Sequence, residues 1–239
     1  MTPRTENLGQ AASPFNGQRI VWVDSVRGLA VLGMVTYHFA WDLAFFNIGS
    51  IDLWWPVQWV VARTFLLISG VSLALAKSGW KRQLARITII MICAAVVTLG
   101  SMILTPRSPI VFGVLHLIVI STLVVAPVRQ FPIGSLLIGG ALIAGGPFIG
   151  RFQGRGILPT IIGYPAWYDT SVDYYPIIPW AGYVFVGCFL GSLISRYHLP
   201  RTGQLGFVTV LGRHALLLYI VHQPILLGLV WMLRSNGNH

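Results

Sequence analysis

Asp24, Arg27, His38 and Asp42 lie along one apolar stretch, VDSVRGLAVLGMVTYHFAWDLAFFN, from Val23 to Asn47. At about 100° per residue, a helix sets Arg27 and His38 about 20° apart around its axis and His38 and Asp42 about 40° apart. Asp24 lies about 60° to the other side of Arg27, so one helix face carries all four groups. A neutral His38 could take a proton from an attacking amine or hydroxyl, with Asp42 one turn on fixing its tautomer and stabilising the imidazolium. The plainer alternative is a buried His38 and Asp42 pair that locks helix packing. Asp24 and Arg27 are read as a structural ion pair.

Such a stripe needs an element to carry it, and composition names the kind. The chain has 239 residues, of which 55% are hydrophobic and 9% charged, against about a quarter charged in soluble domains. The expected fold class is all-α, a polytopic transmembrane helix bundle of about seven spans. These run approximately over 26–47, 53–76, 84–104, 110–127, 132–150, 176–195 and 207–233, each near the roughly 20 residues a bilayer requires. Arg27 to His38 corresponds to roughly 16 Å of helical rise, which brings His38 close to the bilayer middle. Ionisable groups at that depth are costly and mark functional sites.

The formal net charge of +10 would suggest nucleic acid in a soluble domain. Between apolar spans, basic residues are instead topology determinants facing anionic lipid, and nucleic-acid binding is not expected. With the N-terminus cytoplasmic, Arg4, Arg19, Arg27, Lys77, Lys81, Arg82, Arg86, Arg129, Arg196, Arg201 and Arg213 collect inside. Only Arg107, Arg151, Arg155 and Arg234 fall outside, a clear positive-inside bias. Residues 1–18 read as a polar, disordered tail without a removable signal peptide, 19–234 as one transmembrane domain, and 235–239 as a C-terminal tail. Cys93 and Cys188 sit in apolar runs and imply no disulfide framework.

The same depth arithmetic gathers further polar groups near His38. Arg63 in the second span, His116 in the fourth and His222 in the seventh all fall between the midplane and the outer leaflet. Arg63 could stabilise a developing oxyanion or neutralise Asp42, or be a structural ion pair. His116 and His222 could line a cavity or be satisfied structural histidines. Pro224 frees the carbonyl of Ile220, so a kink is expected beside His222. In the fifth span, Gly146 and Gly150 have the spacing of close helix packing. The loop from Arg151 to Tyr175 is long enough to fold over a site. At the cytoplasmic rim, Arg27, Lys81, Arg82 and Arg86 could bind the phosphates of an anionic cofactor, or contact lipid and fix topology. No metal site is predicted, because the histidines lack ligand spacing.

Four blocks, in order, resemble a known family: VDSVRGLAVLGMVTYHFAWDL, FGVLH, YYPIIPWAGYVFVGCFLG and LGRHALLLYIVHQP. They are similar to the bacterial branch of the heparan-α-glucosaminide N-acetyltransferase catalytic-domain family of membrane acyltransferases, from about Arg19 to Leu233. The matching positions include Asp24, Arg27, Gly28, His38, Pro179, Trp180, Gly212, Tyr219, His222 and Pro224. The resemblance implies transfer of an acetyl group from cytoplasmic acetyl-CoA across the membrane to an acceptor sugar. The lysosomal member carries its proposed active histidine in the connection after the first helix. Here that connection, Asn47 to Leu53, has no histidine, and His38 is the substitute candidate.

The expected function is therefore an acetyl-CoA-dependent transmembrane N- or O-acetyltransferase acting on a sugar amine or hydroxyl of an envelope or exported glycan. His38 and Asp42 are the catalytic candidates, Arg27, Lys81, Arg82 and Arg86 the acetyl-CoA-binding ones. Arg63, His116, Trp180 and His222 would line the acceptor site. The expected setting is a bacterial inner membrane, with lipids and a glycan as partners and a homo-oligomer as an option. The rival is a proton-coupled transporter or permease of a small anion or lipid-linked sugar, because intramembrane His and Arg also suit that task. A non-catalytic membrane scaffold is a third reading.

Overall fold

The computed structural model describes residues 20–52, 54–76, 79–106, 109–152, 154, 156–164, 173–197 and 206–236. The N-terminal tail, Lys77, Arg107, Arg155, Arg201 and residues 165–172 of the long loop lie outside the described residues. The described residues form helices α1 (Val21–Phe45), α2 (Trp55–Leu75), α3 (Trp80–Leu104), α4 (Val114–Val128), α5 (Pro132–Ile149), α6 (Ile157–Ile162), α7 (Ile177–Arg196), α8 (Phe207–Arg213) and α9 (Ala215–Asn236). Helices α1, α2, α3, α5, α7 and α9 are long and apolar enough to cross a membrane.

Local sequence sets the helix ends. Pro132 opens α5 at a position where its missing N–H costs nothing. Asn47, at φ 59°, turns the chain away after α1. Gly163 does the same after α6, at φ 125°, with Ile178 O only 2.5 Å from where a Cβ would stand.

Glycines also decide which helices touch. A Cβ on Gly28 would overlap the backbone of Val208, and one on Gly212 that of Asp24, so α1 and α8 meet backbone to backbone. Gly70 against Val184 and Gly187 against Leu67 draw α2 onto α7 in the same way. In α5 the expected close packing occurs at Gly139, whose Cβ would stand 2.9 Å from Gly182 O; Gly146 meets only the ring of Pro179. Small residues let backbones approach where lipid offers no hydrophobic driving force between helices. Leu66, Leu117, Val125 and Val184 fill the core between these contacts. Ile89, Ile92, Leu99 and Ile103 on α3 and Ile133 and Leu137 on α5 stay exposed, as lipid-facing side chains do.

Two expected spans differ. The segment 207–233 is two helices: the chain breaks at His214, just beyond Gly212, which lies against the Asp24 backbone. The helix then continues through Pro224, so the break between the two helices lies ahead of His222. The fourth span becomes helical only at Val114 and has 15 residues. The irregular stretch before it has its backbone groups satisfied by side chains and a neighbouring strand of loop. Ser101 Oγ accepts from Ile110 N at 2.8 Å, Thr98 Oγ1 donates to Ile110 O at 2.8 Å, and Tyr175 N donates to Phe112 O at 3.1 Å. Non-helical backbone is tolerated at membrane depth when protein groups satisfy it in this way.

Candidate active site

Arg27 lies on α1 facing α2 and α8. Its Nη1 donates to Asp24 Oδ1 at 2.7 Å and to Gly212 O at 3.4 Å, and its Nη2 to Ser72 Oγ at 2.5 Å. Arg213 Nε approaches Asp24 Oδ2 at 3.6 Å. The ion pair expected between Asp24 and Arg27 is thus formed, and it extends to a second arginine that sequence reasoning counted only for topology. Arg27, Gly212 and Arg213 border a cavity of about 760 Å³. Arg82 and Arg86, on the next helix but one, stand at the same cavity, together with Gln83, Ser69, Phe65 and Tyr219. Lys81 is exposed and not among the lining residues.

A second chamber, of about 40 Å³, lies further along α1. Its polar lining is His38 and Tyr37 from α1, Gln58 from α2, Asp173 and Tyr175 from the segment before α7, and Tyr219 from α9. Helical geometry brings Arg27 and His38 to one face of α1, as their spacing predicts, and each opens onto a different cavity.

The pairing expected between His38 and Asp42 is not made. Asp42 is fully buried and accepts from Gln223 Nε2 at 2.8 Å, while Nδ1 of His38 is buried without a hydrogen-bond partner among the described residues. The neighbour of His38 is His222, with ring centroids 4.9 Å apart and an interplanar angle of 62°. His222 Nδ1 stands 2.7 Å from Tyr219 O, and a carbonyl can only accept, so the proton is on Nδ1. That leaves His222 Nε2 as a lone-pair acceptor, and it too is buried and unpartnered.

Three other expected lining residues take different places. Arg63 is exposed, with its guanidinium 5.7 Å from the ring centroids of both Trp59 and Tyr183. It borders neither cavity. His116 accepts from Gly113 N at 3.2 Å through Nδ1 and meets Thr98 Oγ1 at 3.4 Å through Nε2, the satisfied histidine of a helix start. Trp180 stacks on Trp59 at 5.3 Å and meets the Tyr175 ring edge-on at 4.8 Å. It braces the chamber wall from behind.

Asp173 is the residue that sequence reasoning missed. It is 5% exposed; its Oδ2 accepts from the Tyr219 hydroxyl and its Oδ1 from Val114 N at 3.4 Å. Burial pushes its carboxyl up to about 6, against the opposing pull of those two hydrogen bonds. A Cβ on Gly113 would overlap this carboxylate, so the glycine of FGVLH leaves room for it. The available signal was scarcity: the chain has six acidic residues in all, and each buried one has a use to explain. Beside it, Tyr37 Oη donates to Gln58 Oε1 at 2.9 Å and Gln58 Nε2 reaches Tyr175 Oη at 3.5 Å. Burial raises the Tyr175 phenol well above its ordinary range, which keeps it a hydrogen-bond donor.

Among the described residues, six helices long and apolar enough to cross a membrane, with a partly polar chamber and a basic cavity between helices, are the make-up of an integral membrane protein. Residues 19–224 match the family described as heparan-alpha-glucosaminide N-acetyltransferase, catalytic, and the chain belongs to that family. The membership makes it a transmembrane acetyltransferase by class. No curated protein and no solved structure matches the chain.

Proposed function

We propose that the protein moves an acetyl group from acetyl-CoA, held in the basic cavity, to a sugar amine or hydroxyl of an envelope or exported glycan presented at the His38 chamber. The observation that carries this reading is the shared wall: Phe65 and Tyr219 border both spaces, so a donor on one side and an acceptor on the other meet within one side-chain layer. Acetyl-CoA fits the first space by chemistry. Its phosphates suit the guanidinium groups of Arg82, Arg86 and Arg213, and its pantetheine arm suits the apolar walls at Leu73, Ile90 and Leu216.

In the transfer step, the acceptor nitrogen or oxygen attacks the thioester carbonyl carbon, the C–S bond breaks, and the CoA sulfur leaves. His38 takes the acceptor proton and returns it to that sulfur. His222, with its Nδ1 proton held by Tyr219 O and its Nε2 lone pair free, orients the His38 ring. Phenol and amide donors of Tyr175 and Gln58 stand on the chamber wall where charge develops on the carbonyl oxygen.

The positive-inside rule supports a cytoplasmic location for the basic cavity and a location in the cytoplasmic membrane. Arg129 Nη1 donates to Ala76 O at 3.2 Å, which joins the ends of α4 and α2 on one side as that topology requires. The test is CoA thiol release from acetyl-CoA by purified protein with glucosamine as acceptor. Thiol release that depends on protein and on His38 is the expected result; CoA binding without any thiol release would overturn the enzymatic reading.

A further inference from the structure

Arg63 borders neither cavity, and its charge is unbalanced. It is exposed on the flank of α2, about 12 Å of rise from the start of that helix. Among the described residues its guanidinium makes no hydrogen bond and meets no carboxylate. The described acids are engaged elsewhere: Asp24 by Arg27, Asp42 by Gln223, Asp52 by Ser50 and Asp173 by Tyr219. Two rings hold the guanidinium, Trp59 one turn back on α2 and Tyr183 across on α7, each centroid 5.7 Å away. Cation–π contacts offset part of the cost of an arginine at that depth and leave its N–H donors unpaired. A planar fork of such donors fits a phosphate or carboxylate.

The same flank continues as an apolar groove of about 460 Å³ between α2 and α7. Leu67 follows Arg63 by one turn, and Leu190 follows Tyr183 by two, so each stays within about 40° of the residue above it. Ile68, Val71, Leu193 and Ile194 complete these walls, and no charged side chain lines the groove. Trp59 to Val71 is about 18 Å of helix rise, close to the roughly 15 Å that the chains of one leaflet fill. Val60 and Leu190 are 63% and 40% exposed, so this flank faces outward from the bundle.

We infer that this flank binds an anionic lipid, with its phosphate on the Arg63 guanidinium between Trp59 and Tyr183 and one hydrocarbon chain in the groove below. A soluble anion would leave the groove unfilled, and a neutral chain would leave the guanidinium unpaired; an anionic lipid answers both. Trp59 also stacks on Trp180 at 5.3 Å, and Trp180 meets Tyr175 of the His38 chamber edge-on at 4.8 Å. Two ring contacts thus connect the lipid site to the chamber wall. The inference does not depend on the acetyl-transfer reading.

The experiment titrates purified full-length protein in detergent with dioleoyl phosphatidylglycerol, dioleoyl phosphatidylcholine or glycerol 3-phosphate and counts bound molecules by native mass spectrometry. The wild type is expected to bind the anionic lipid about 10-fold more tightly than the zwitterionic one, the worth of a charge-assisted contact, with glycerol 3-phosphate too weak to compete. Arg63→Gln is expected to remove that preference and Arg63→Lys to keep most of it. Leu190→Trp, at an exposed position, fills the groove without touching the charge and is expected to weaken both lipids about 10-fold. An unchanged preference in Arg63→Gln overturns the inference, as does lipid affinity indifferent to Leu190→Trp. Competition by glycerol 3-phosphate at the lipid's own affinity overturns it by showing an anion site without a chain. Loss of a homodimer in Arg63→Gln also overturns it and assigns the flank to a second copy of the chain.

Discussion

The rings of His38 and His222 meet at 4.9 Å, while the carboxylate one turn beyond His38 is engaged by Gln223. The side chain that meets the ring of the candidate base therefore comes from α9 and not from its own helix. His38→Gln is expected to lower thiol release by about 10²-fold or more with CoA binding retained. His222→Ala should follow it in kcat, whereas Asp42→Asn, whose partner is an amide, should cost much less. A silent His222→Ala beside a crippling Asp42→Asn would return the orienting role to Asp42.

Asp173 predicts a pH dependence of stability outside the spans. Its folded-state value is raised from 3.8 to about 6, so the folded protein binds the proton more tightly than the unfolded chain. Its contribution is most favourable below about 3.8 and is lost as pH rises through about 6. Between pH 7 and pH 5 the wild type should gain about 1 kcal/mol from this group relative to Asp173→Asn. Thermal unfolding of both proteins in the same detergent at the two pH values checks it, and parallel curves would refute it.

The basic cavity predicts unequal roles for neighbouring cations. Arg82→Ala or Arg86→Ala should weaken CoA binding by about 10-fold, the worth of a charge-assisted contact. Lys81→Ala, which is exposed and borders neither cavity, should change it by less than about twofold. Isothermal titration with CoA separates the three, and equal losses would show general electrostatic attraction instead of a built site.

Gly212 predicts a packing effect. Alanine there would place its Cβ against Asp24 O and Gly28 N, and backbone cannot move aside as a flexible side chain does. Gly212→Ala should destabilise the protein by about 1–3 kcal/mol and disturb Arg27, which donates to Gly212 O. Gly100→Ala, where nothing lies within 4 Å, is the control in the same unfolding measurement.

Much of the fold was legible because lipid imposes simple rules. Apolar length gave the helices, and the 3.6-residue period placed Arg27 and His38 on one face of α1. The long loop was recognised, though not the short helix α6 within it. Depth along a helix was legible too, but azimuth was not. Ala62, Leu66 and Leu73 turn inward on α2, and Arg63, about 100° from Ala62, turns outward with Trp59. Depth alone had placed it in the site. His116 reads as a residue within the span 110–127, yet its helix starts only at Val114, which makes it a cap.

That the chain is a membrane helix bundle, that α1 carries a polar face, and which family's motifs it bears are all legible in the residues alone. These follow from local periodicity and composition. That His222 and not Asp42 stands against His38, that Asp173 and Tyr219 join across 46 residues, and that Phe65 and Tyr219 border both cavities emerge only when the helices pack. Those relationships depend on the angle at which separate helices meet, and backbone contacts at Gly28, Gly70, Gly187 and Gly212 set that angle. No spacing within one segment encodes it.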